Sequence, residues 1–368
     1  MEHRGMDQVN GAESDCIPEE SVVGCILGIA AGDSLGLKSE GLTRQRQAKM
    51  FPDTGRQGLL FGKGMISDDT EHTLFTAEAL IESGGNPDRF ASAMGWKMRL
   101  WFLGLPAGIG FATLRSCLKL WLGVSPSKSG VFSAGNGSAM RAPIIGTVYG
   151  SSPEKMKKLI EVSTQLTHTD PKALHGSLAA ALAAHHSAKT KAEPDFDEYM
   201  EELENLIGSD SAEFITLIKK ALKSAKSGES VLDYCENNGM KKGVSGYIHH
   251  TMQAVLHCWF GNPGDFRTAV TNLIRCGGDT DTTAAILGGI IGAGVGKQGI
   301  PPEWLSNIFE FPRNISWMEK LAGNLAYFVS TGQTKPHPAF NPLLIPVRNC
   351  LFTTTVLAHG FRRMLPPY

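Results

Sequence analysis

The 368-residue sequence lacks the features typical of membrane-spanning and nucleic-acid-binding proteins. Its apolar runs, such as residues 22–32 and 284–296, are shorter than the ~20 residues that cross a bilayer. The formal net charge is -1, and no basic cluster is large enough to attract a phosphate backbone. We therefore expect neither a membrane nor a nucleic acid among the partners.

The sequence also contains no closely spaced cysteine pair. Seven cysteines are scattered without a CxxC motif, a pattern that a reducing compartment permits and that predicts a cytoplasmic protein. Residues 1–20 carry acidic side chains where a secretory signal would have an apolar segment. We predict that these residues form a disordered leader.

Alternating β-branched residues are scarce, whereas apolar residues recur at helical spacing along most of the chain. The clearest helical face, which ends at a Gly pair, consists of Phe266, Ala269, Val270, Leu273 and Ile274. The sequence therefore predicts an all-α protein that folds as a single compact bundle of many helices.

The predicted organisation has three parts, of which the leader is the first. Residues 21–332 form the all-α domain, and the proline-rich residues 333–368 form a C-terminal tail of unassigned role. Within the domain, the acidic stretch 187–211 contains few large apolar residues. It predicts a surface excursion between helices.

Two acidic clusters with hydroxyl neighbours are present, Ser67-Asp68-Asp69-Thr70 and Asp279-Thr280-Asp281-Thr282. Each precedes a helical pattern, where Asp, Ser and Thr also serve as helix caps. A cap needs one acceptor, however, and each cluster offers several. Adjacent carboxylates repel one another unless a cation lies between them, and Mg²⁺ prefers such oxygen ligands. The clusters predict two halves of one divalent-cation site.

The glycine-rich segment from Gly135 to Arg141 predicts an anion-binding loop. Its glycines expose backbone N–H groups, and Asn136 tolerates a positive φ, so the loop could bind a pyrophosphate. An ordinary tight turn has the same composition. Arg141 is interpreted either as a partner of a phosphate or as a brace for a metal-site carboxylate.

Four segments of the chain form an ordered set. They are Gly32-Asp33-Ser34-Leu35-Gly36 with the following Glu40, Ser67-Asp68-Asp69-Thr70, Gly135-Asn136-Gly137-Ser138-Ala139-Met140-Arg141, and Gly278-Asp279-Thr280-Asp281-Thr282 with the following Ala284-Ala285. In this order they resemble the ADP-ribosylhydrolases of the dinitrogenase-reductase-activating glycohydrolase type, over residues 22–329. The resemblance implies an all-α bundle with a dinuclear Mg²⁺ or Mn²⁺ centre that removes ADP-ribose from modified side chains.

The resemblance also assigns roles to individual residues. The implied metal ligands are Ser67, Asp68, Asp69, Asp279, Asp281 and Thr282, with a serine at 67 where the family more often has threonine. The implied ADP-ribose contacts are Gly135, Asn136, Gly137, Ser138, Ala139, Met140, Arg141 and His168. Glu40 and Asp68 are the candidates for general acid or base. Asp33 is interpreted as a structural residue that bonds a neighbouring loop.

The predicted function is hydrolysis of the glycosidic bond between ADP-ribose and a protein side chain, with arginine as the expected side chain. The implied cofactors are two Mg²⁺ or Mn²⁺ ions. The expected partner is an ADP-ribosylated protein or a free ADP-ribose adduct, and an ADP-ribosyltransferase is a further candidate partner. We expect the loops that select the side chain within residues 55–64 and 231–246.

Two alternatives remain open at the level of the sequence. A catalytically silent or antitoxin-type member of the same family would act by binding a partner, although the implied ligands and Glu40 are all present. The Asp68-Asp69 pair also occurs in aspartate-rich prenyl-diphosphate enzymes. Those enzymes place a further acidic residue three positions after the second Asp, on the same helical face, and here that position is His72.

Overall fold

The computed structural model describes residues 17–191, 194–208 and 211–366. Within these ranges the chain forms seventeen α-helices, three 3₁₀ helices (Leu37–Ser39, Pro126–Lys128 and Ala139–Arg141) and isolated β-bridges, without a strand. The α-helices are α1 Glu19–Gly36, α2 Arg44–Met50, α3 Asp68–Ser83, α4 Pro87–Leu103, α5 Phe111–Trp121, α6 Ala142–Tyr149, α7 Pro153–Gln165, α8 Pro171–Thr190, α9 Phe196–Ile207, α10 Ala212–Lys226, α11 Val231–Asn237, α12 Ile248–Gly261, α13 Phe266–Arg275, α14 Thr280–Gly299, α15 Pro302–Ser306, α16 Ile315–Thr331 and α17 Leu344–Arg363. The all-α prediction is confirmed.

Several helices begin where the sequence offers a cap. The side chain of Asn86 accepts from the backbone N–H of Arg89 at 3.0 Å, at the start of α4. At the start of α8, Asp170 accepts from the N–H of Lys172 at 2.9 Å and Pro171 occupies the first helical position. These caps satisfy backbone donors that have no partner inside a helix.

Helices α1 and α14 form the centre of the core and pack backbone against backbone. The paired positions are Gly24 with Gly292, Gly28 with Gly288, Gly32 with Ala284 and Gly36 with Thr280. A Cβ atom added at Gly28 would lie 2.1 Å from the carbonyl oxygen of Gly288, so no side chain fits between the helices. The pairing is antiparallel, and it therefore places the start of α14 beside the end of α1.

Helix α1, at Glu19–Gly36, extends beyond the predicted apolar run of residues 22–32. Together with the following 3₁₀ helix, residues Glu19–Ser39 reach the length and hydropathy of a membrane span, the one such stretch in the described part of the chain. Its most apolar window is 89% buried inside the fold. A fully enclosed core helix meets the same criterion, because it too is apolar on every side.

The expectation of a surface excursion over residues 187–211 is wrong for most of that stretch. Helix α8 continues to Thr190, and α9 occupies Phe196–Ile207. Tyr199 and Leu203 are fully buried, and the Tyr199 hydroxyl donates to the carbonyl of Ala179 at 3.1 Å. The acidic residues are the solvated face of an amphipathic helix, whose few apolar residues suffice to form a buried stripe.

The structure describes only part of the two predicted ends of the chain. Of the predicted leader, residues 1–16 lie outside the described residues, and Glu19 already begins α1. The C-terminal tail contains α17, whose Phe352 packs with Leu37, Leu59 and Met65 in a small apolar cluster. The tail is therefore a helix docked on the body of the protein.

Candidate active site

The candidate site forms where α1 ends and where α3 and α14 begin. Helix α1 passes into the 3₁₀ helix Leu37–Ser39, and Glu40 follows it directly. The first acidic cluster starts α3, with Ser67 as its N-cap, and the second starts α14, with Asp279 at the N-cap position. Because α1 and α14 are antiparallel, Glu40 and the second cluster lie at the same end of the core.

Isolated β-bridges fix the backbone just before α14. The N–H of Gly278 donates to the carbonyl of Leu42, and the N–H of Asp279 donates to the carbonyl of Val244, both at 2.7 Å. Gly278 has φ 88°, and a Cβ atom there would lie 2.0 Å from the Val244 carbonyl oxygen. Only glycine meets both demands, so this residue sets the position of Asp279.

The two acidic clusters meet in space although 213 residues separate the contacting side chains. The hydroxyl of Thr282 donates to Oδ2 of Asp69 at 3.2 Å, and the hydroxyl of Ser67 donates to the same oxygen at 3.1 Å. Ser67 also accepts from the N–H of Asp69 at 3.2 Å. Its capping role and its place in the acidic cluster are therefore combined in one residue.

Asp33 supports the first cluster from helix α1. Its Oδ2 accepts from the N–H of Ser67 at 2.9 Å, from the N–H of Thr70 at 3.2 Å and from the Thr70 hydroxyl at 2.5 Å. Burial raises the pKa of Asp33 to about 6, while these hydrogen bonds act in the opposite direction. The contacts agree with its interpretation as a structural residue.

Asn136 connects the glycine-rich loop to the second cluster. Its Nδ2 donates to Oδ2 of Asp279 at 2.7 Å and to the hydroxyl of Thr251 at 3.0 Å. Asn136 was expected to suit the loop because asparagine tolerates a positive φ, but its backbone does not adopt one. That reason is wrong: the side chain is used to orient a carboxylate.

The electrostatics of the site are those of crowded, buried carboxylates. Burial raises the pKa of Glu40 to about 7, and the charge of Asp279 adds to the shift while Arg363 opposes it. Burial, followed by the charges of neighbouring carboxylates, also raises the pKa values of Asp68, Asp69 and Asp281. Such a cluster is costly to ionise unless positive charge is brought to it.

The donor set fits a hard cation in composition rather than in finished geometry. Among the described residues, no three His, Cys, Asp or Glu side chains already form a group that could hold a metal ion. The donors that converge are carboxylate and hydroxyl oxygens, which Mg²⁺ and Mn²⁺ prefer. Asp69 Oδ1 is buried and has no hydrogen-bond partner in the described part of the chain, a state that a cation would relieve.

A cavity of about 400 Å³ opens above the acidic centre, a size suited to a small-molecule ligand. The residues assigned from the sequence that line it are Glu40, Asp68, Gly135, Asn136, Gly137, Met140, His168, Asp279, Asp281 and Thr282. Ser67 and Asp69 do not line the cavity and are 4% and 1% exposed. One cavity therefore joins the acidic clusters to the glycine-rich loop.

The glycines of the loop make room for His168. A Cβ atom at Gly135 would lie 3.1 Å from His168 Nε2, and one at Gly137 would lie 3.2 Å from its Cε1. Both distances are tighter than ordinary contacts, so side chains at these positions would displace the imidazole. The absence of Cβ atoms lets the ring approach the loop and border the cavity.

Burial, with a smaller contribution from the charge of Arg141, lowers the pKa of His168 to about 3, so the ring is neutral. Its Nδ1 lies 2.8 Å from the Thr167 hydroxyl, which accepts from Arg141 at the same distance. This arrangement leaves the Thr167 proton free to bond Nδ1. The network thus favours the tautomer with its N–H on Nε2, on the side that faces Gly135.

Three residues assigned to ADP-ribose binding do not reach the cavity. Ser138, Ala139 and Arg141 are at most 1% exposed. Arg141 donates to the carbonyl of Gly137 at 2.7 Å and to the carbonyl of Ser163 at 2.6 Å. Its guanidinium is thus enclosed by protein groups, and it braces the loop from behind instead of binding a phosphate.

The predicted selection loops are also only partly at the cavity. From residues 231–246, Gly246 lines it, whereas residues 55–64 do not. Three residues that no sequence pattern indicated, Phe111, Thr113 and Ser133, also line the cavity. Single aromatic and hydroxyl residues have no distinctive sequence pattern. The only feature that could have indicated them is the glycine-rich sequence next to them.

The fold and the site together define a class: all-helical proteins in which two acidic segments, each at the start of a helix, converge beside a glycine-rich loop. The chain belongs to the ADP-ribosylglycohydrolase family, whose model matches residues 16–334. The family consists of hydrolases of ADP-ribosyl bonds, so the prediction of a hydrolase that reverses ADP-ribosylation is confirmed at the family level.

Individual relatives agree with this placement. The chain is 26% identical over 319 residues to the ADP-ribosyl-dinitrogen reductase glycohydrolase of Rhodospirillum rubrum, a match that covers 83% of this chain and 97% of the relative. It is 26% identical over 298 residues to the ADP-ribosylarginine hydrolase Tri1 of Pseudomonas putida, covering 77% and 73% of the two chains. A solved ADP-ribosylglycohydrolase-related protein complex shares the fold, with a TM-score of 0.64, 24% identity and coverage of 85% and 99%.

Proposed function

We propose that the protein is a metal-dependent hydrolase that removes ADP-ribose from modified protein side chains, with arginine as the expected linkage. The observation that carries the proposal is the contact between the two acidic clusters, Thr282 Oγ1 to Asp69 Oδ2 at 3.2 Å, beneath a ligand-sized cavity. The family supports this substrate class. So do the names of two relatives, one a glycohydrolase of ADP-ribosyl-dinitrogen reductase and the other a hydrolase of ADP-ribosylarginine.

In this proposal the cations are two Mg²⁺ or Mn²⁺ ions. The residues that would hold them are Ser67, Asp68, Asp69, Asp279, Asp281 and Thr282. Bound there, divalent ions would activate a water and offset the charge that develops at the glycosidic carbon. The hydrogen bond from Asn136 orients the Asp279 carboxylate, as groups behind metal ligands commonly do.

Glu40 is the first candidate for proton transfer at the scissile bond. It borders the cavity, and burial raises its pKa to about 7, close to the value at which a group both gives and takes a proton near neutral pH. Asp68 borders the same cavity, and burial raises its pKa as well. Either carboxyl can serve as acid or base, and Glu40 is preferred because it comes from outside the acidic clusters.

The glycine-rich loop and His168 form the opposite wall, where the ADP-ribose would lie. The neutral ring of His168 presents Nε2 toward Gly135, a donor suited to a ribose hydroxyl or a phosphate oxygen. Gly135 and Gly137 border the cavity with backbone alone, so a ligand can approach the peptide groups closely.

The test is to incubate the protein with peptides that carry ADP-ribose on arginine or on serine, and to measure release of free ADP-ribose. Each reaction is run with Mg²⁺, with Mn²⁺ and with a chelator. We expect release from the arginine peptide, dependent on the metal and abolished by the chelator. Release from the serine peptide alone would show that serine, and not arginine, carries the linkage that is cleaved. Release that persists in chelator would refute the requirement for a metal ion.

A catalytically silent protein would give a different result in the same experiment. It would bind ADP-ribose in a calorimetric titration but release none from any peptide with either metal. We retain the cytoplasm as the expected location. A transferase that attaches ADP-ribose to side chains is the reaction class that must supply the substrate.

A further inference from the structure

Helix α17 bonds to several segments that lead into the cavity, although it lies beyond residue 334, where the family match ends. Near its start, Asn349 Nδ2 donates to the carbonyl of Gly104 at 2.7 Å. Near its end, His359 Nε2 lies 2.7 Å from the carbonyl oxygen of Leu59. These bonds run from side chains of α17 to backbone oxygens of loops, and the loop after Gly104 contributes Gly108 to the cavity wall.

Arg348 of α17 holds the backbone just before the first acidic cluster. Its Nη2 donates to the carbonyl of Ile66 at 2.5 Å, and its Nε donates to Glu310 Oε1 at 2.8 Å. Glu310 Oε2 in turn accepts from the N–H of Ile66 at 3.4 Å. The buried ion pair therefore brackets the peptide groups of the residue that precedes Ser67.

Arg363, in the last turn of α17, holds the backbone of the segment that carries Glu40. Its Nη1 donates to the carbonyl of Glu40 at 2.6 Å, and its Nη2 donates to the carbonyls of Lys38 at 3.0 Å and Leu37 at 3.5 Å. The carbonyls of Lys38 and Glu40 lie at the end of the 3₁₀ helix, where backbone acceptors attract positive charge, whereas the Leu37 carbonyl also accepts from the N–H of Glu40 at 3.4 Å. Gly41, with φ 73° and nothing within 4 Å of a Cβ position, follows and offers no steric support.

We propose that Arg363 is a positioning residue of the active site, and that α17 fixes the backbone of Leu37–Glu40 so that the Glu40 carboxyl faces the acidic centre. Arg363 touches the backbone of this segment through three carbonyls, so it acts through Glu40 and not on the substrate. The kinetic consequence rests on the proposed function, whereas the structural consequence does not.

The test compares Arg363→Gln with Arg362→Gln. Arg362 is the adjacent, exposed arginine of the same helix, and it donates to the carbonyl of Pro366 instead. Hydrogen–deuterium exchange of peptides covering residues 37–42 should be roughly tenfold faster in Arg363→Gln than in wild type, and unchanged in Arg362→Gln. Peptides from α14 should exchange equally in all three proteins, which shows that the fold is intact.

Steady-state kinetics on the ADP-ribosylated peptide add a second readout. Arg363→Gln should lower kcat roughly 10- to 100-fold with little change in KM, because Glu40 is displaced while the ADP-ribose wall is untouched. Arg363→Lys should restore part of the loss, since one ammonium can bond some but not all of the three carbonyls.

Equal exchange of residues 37–42 in Arg363→Gln and wild type would overturn the proposal, as would a change in KM without a change in kcat. A wild-type protein that releases no ADP-ribose would count against the proposed function alone. In that case the exchange measurement still decides the inference, because it requires no substrate.

Discussion

Two regions of the molecule hold the same acidic centre by opposite means. At the core, α1 and α14 meet without side chains, and a Cβ atom at Gly28 or Gly288 would lie about 2 Å from the opposing carbonyl oxygen. At the periphery, α17 is attached by long polar side chains, with Arg348 and Arg363 donating to backbone carbonyls. The first contact allows no side chain, and the second consists of side chains.

The difference indicates which parts of the site can move. A backbone contact between helices has no rotatable bond, so α14 presents Asp281 and Thr282 in a fixed place. An arginine anchor has several rotatable bonds, and its hydrogen bonds can break and form again. The Glu40 segment is held from α17 on one side and, on the other, by the N–H of Gly41, which donates to the carbonyl of Gly278 at 2.8 Å. The position of Glu40 therefore depends in part on the periphery.

The largest expected effect on stability comes from a change at the contact between α1 and α14. Gly28→Val would put a branched side chain where a Cβ atom already lies 2.1 Å from the Gly288 carbonyl oxygen, so we expect a loss of more than about 4 kcal/mol and no folded protein. The matched change in α17, Gly360→Val, meets no atom of the described residues within 4 Å and should stay within about 0.5 kcal/mol of wild type. Equal unfolding midpoints would show that the helices can separate.

The second prediction removes the acidic centre and leaves both supports in place. Asp68→Ala combined with Asp69→Ala should abolish ADP-ribose release while circular dichroism shows an unchanged helical fold. Burial raises the pKa of both carboxyls, so their removal in chelator should leave thermal stability unchanged or raise it. Asp88→Ala, an exposed aspartate in the first turn of α4, should retain full activity. Normal turnover in the double variant would remove the cluster from the mechanism.

A third change tests how α17 is attached. Arg348→Met leaves Glu310 buried without its charged partner and should cost about 3–5 kcal/mol in a denaturant titration. Adding Glu310→Leu should recover part of this loss, because an apolar pair can replace a buried ion pair but cannot bond the peptide groups of Ile66. No such second change is expected to rescue Gly28→Val. Additive losses in the Arg348 and Glu310 variants would contradict the pairing.

The smallest effect concerns the segment that leads to α17. His337 Nε2 lies 3.0 Å from Glu78 Oε1, and this bond raises the pKa of the histidine. Burial alone would raise the pKa of Glu78, but its bond to His337 and the charges of Lys97 and Arg313 lower it to about 2. Because folding raises the pKa of His337, its contribution to the stability of the fold is complete below its ordinary pKa of 6.5. Because folding lowers the pKa of Glu78, its contribution is complete above its ordinary pKa of 4.5.

The pair should therefore contribute between about pH 4.5 and 6.5 and lose its effect as the pH rises through the histidine pKa or falls toward 2. His337→Gln should lower the free energy of unfolding by less than about 1 kcal/mol in that window, since the histidine is 46% exposed. Urea titrations at pH 5.5 and pH 9 measure it. A loss of the same size at both values would mean that charge is not involved.

Much of the site could be predicted from local patterns, and the misses have physical reasons. Asp68 and Asp279 were found because clustered carboxylates next to hydroxyls are rare outside cation sites and caps. Asn136 was assigned for its backbone, yet its side chain bonds Asp279. This contact could not be predicted because the two residues are 143 positions apart in the sequence. Arg141 was interpreted as the partner of a phosphate or of a metal-site carboxylate, since no local pattern shows that its guanidinium is enclosed by the carbonyls of Gly137 and Ser163.

Helix periodicity, capping residues and the acidic clusters were determined by the sequence alone, because each depends on neighbours within a few residues. The glycine repeat on α1 was also in the sequence, but its partner on α14 became visible only when the two helices were packed. Which carboxylates share one cavity, which arginines hold the backbone and how α17 reaches Glu40 were decided by the tertiary structure. Those contacts join residues hundreds of positions apart, and their energies depend on burial and distance that no local pattern records.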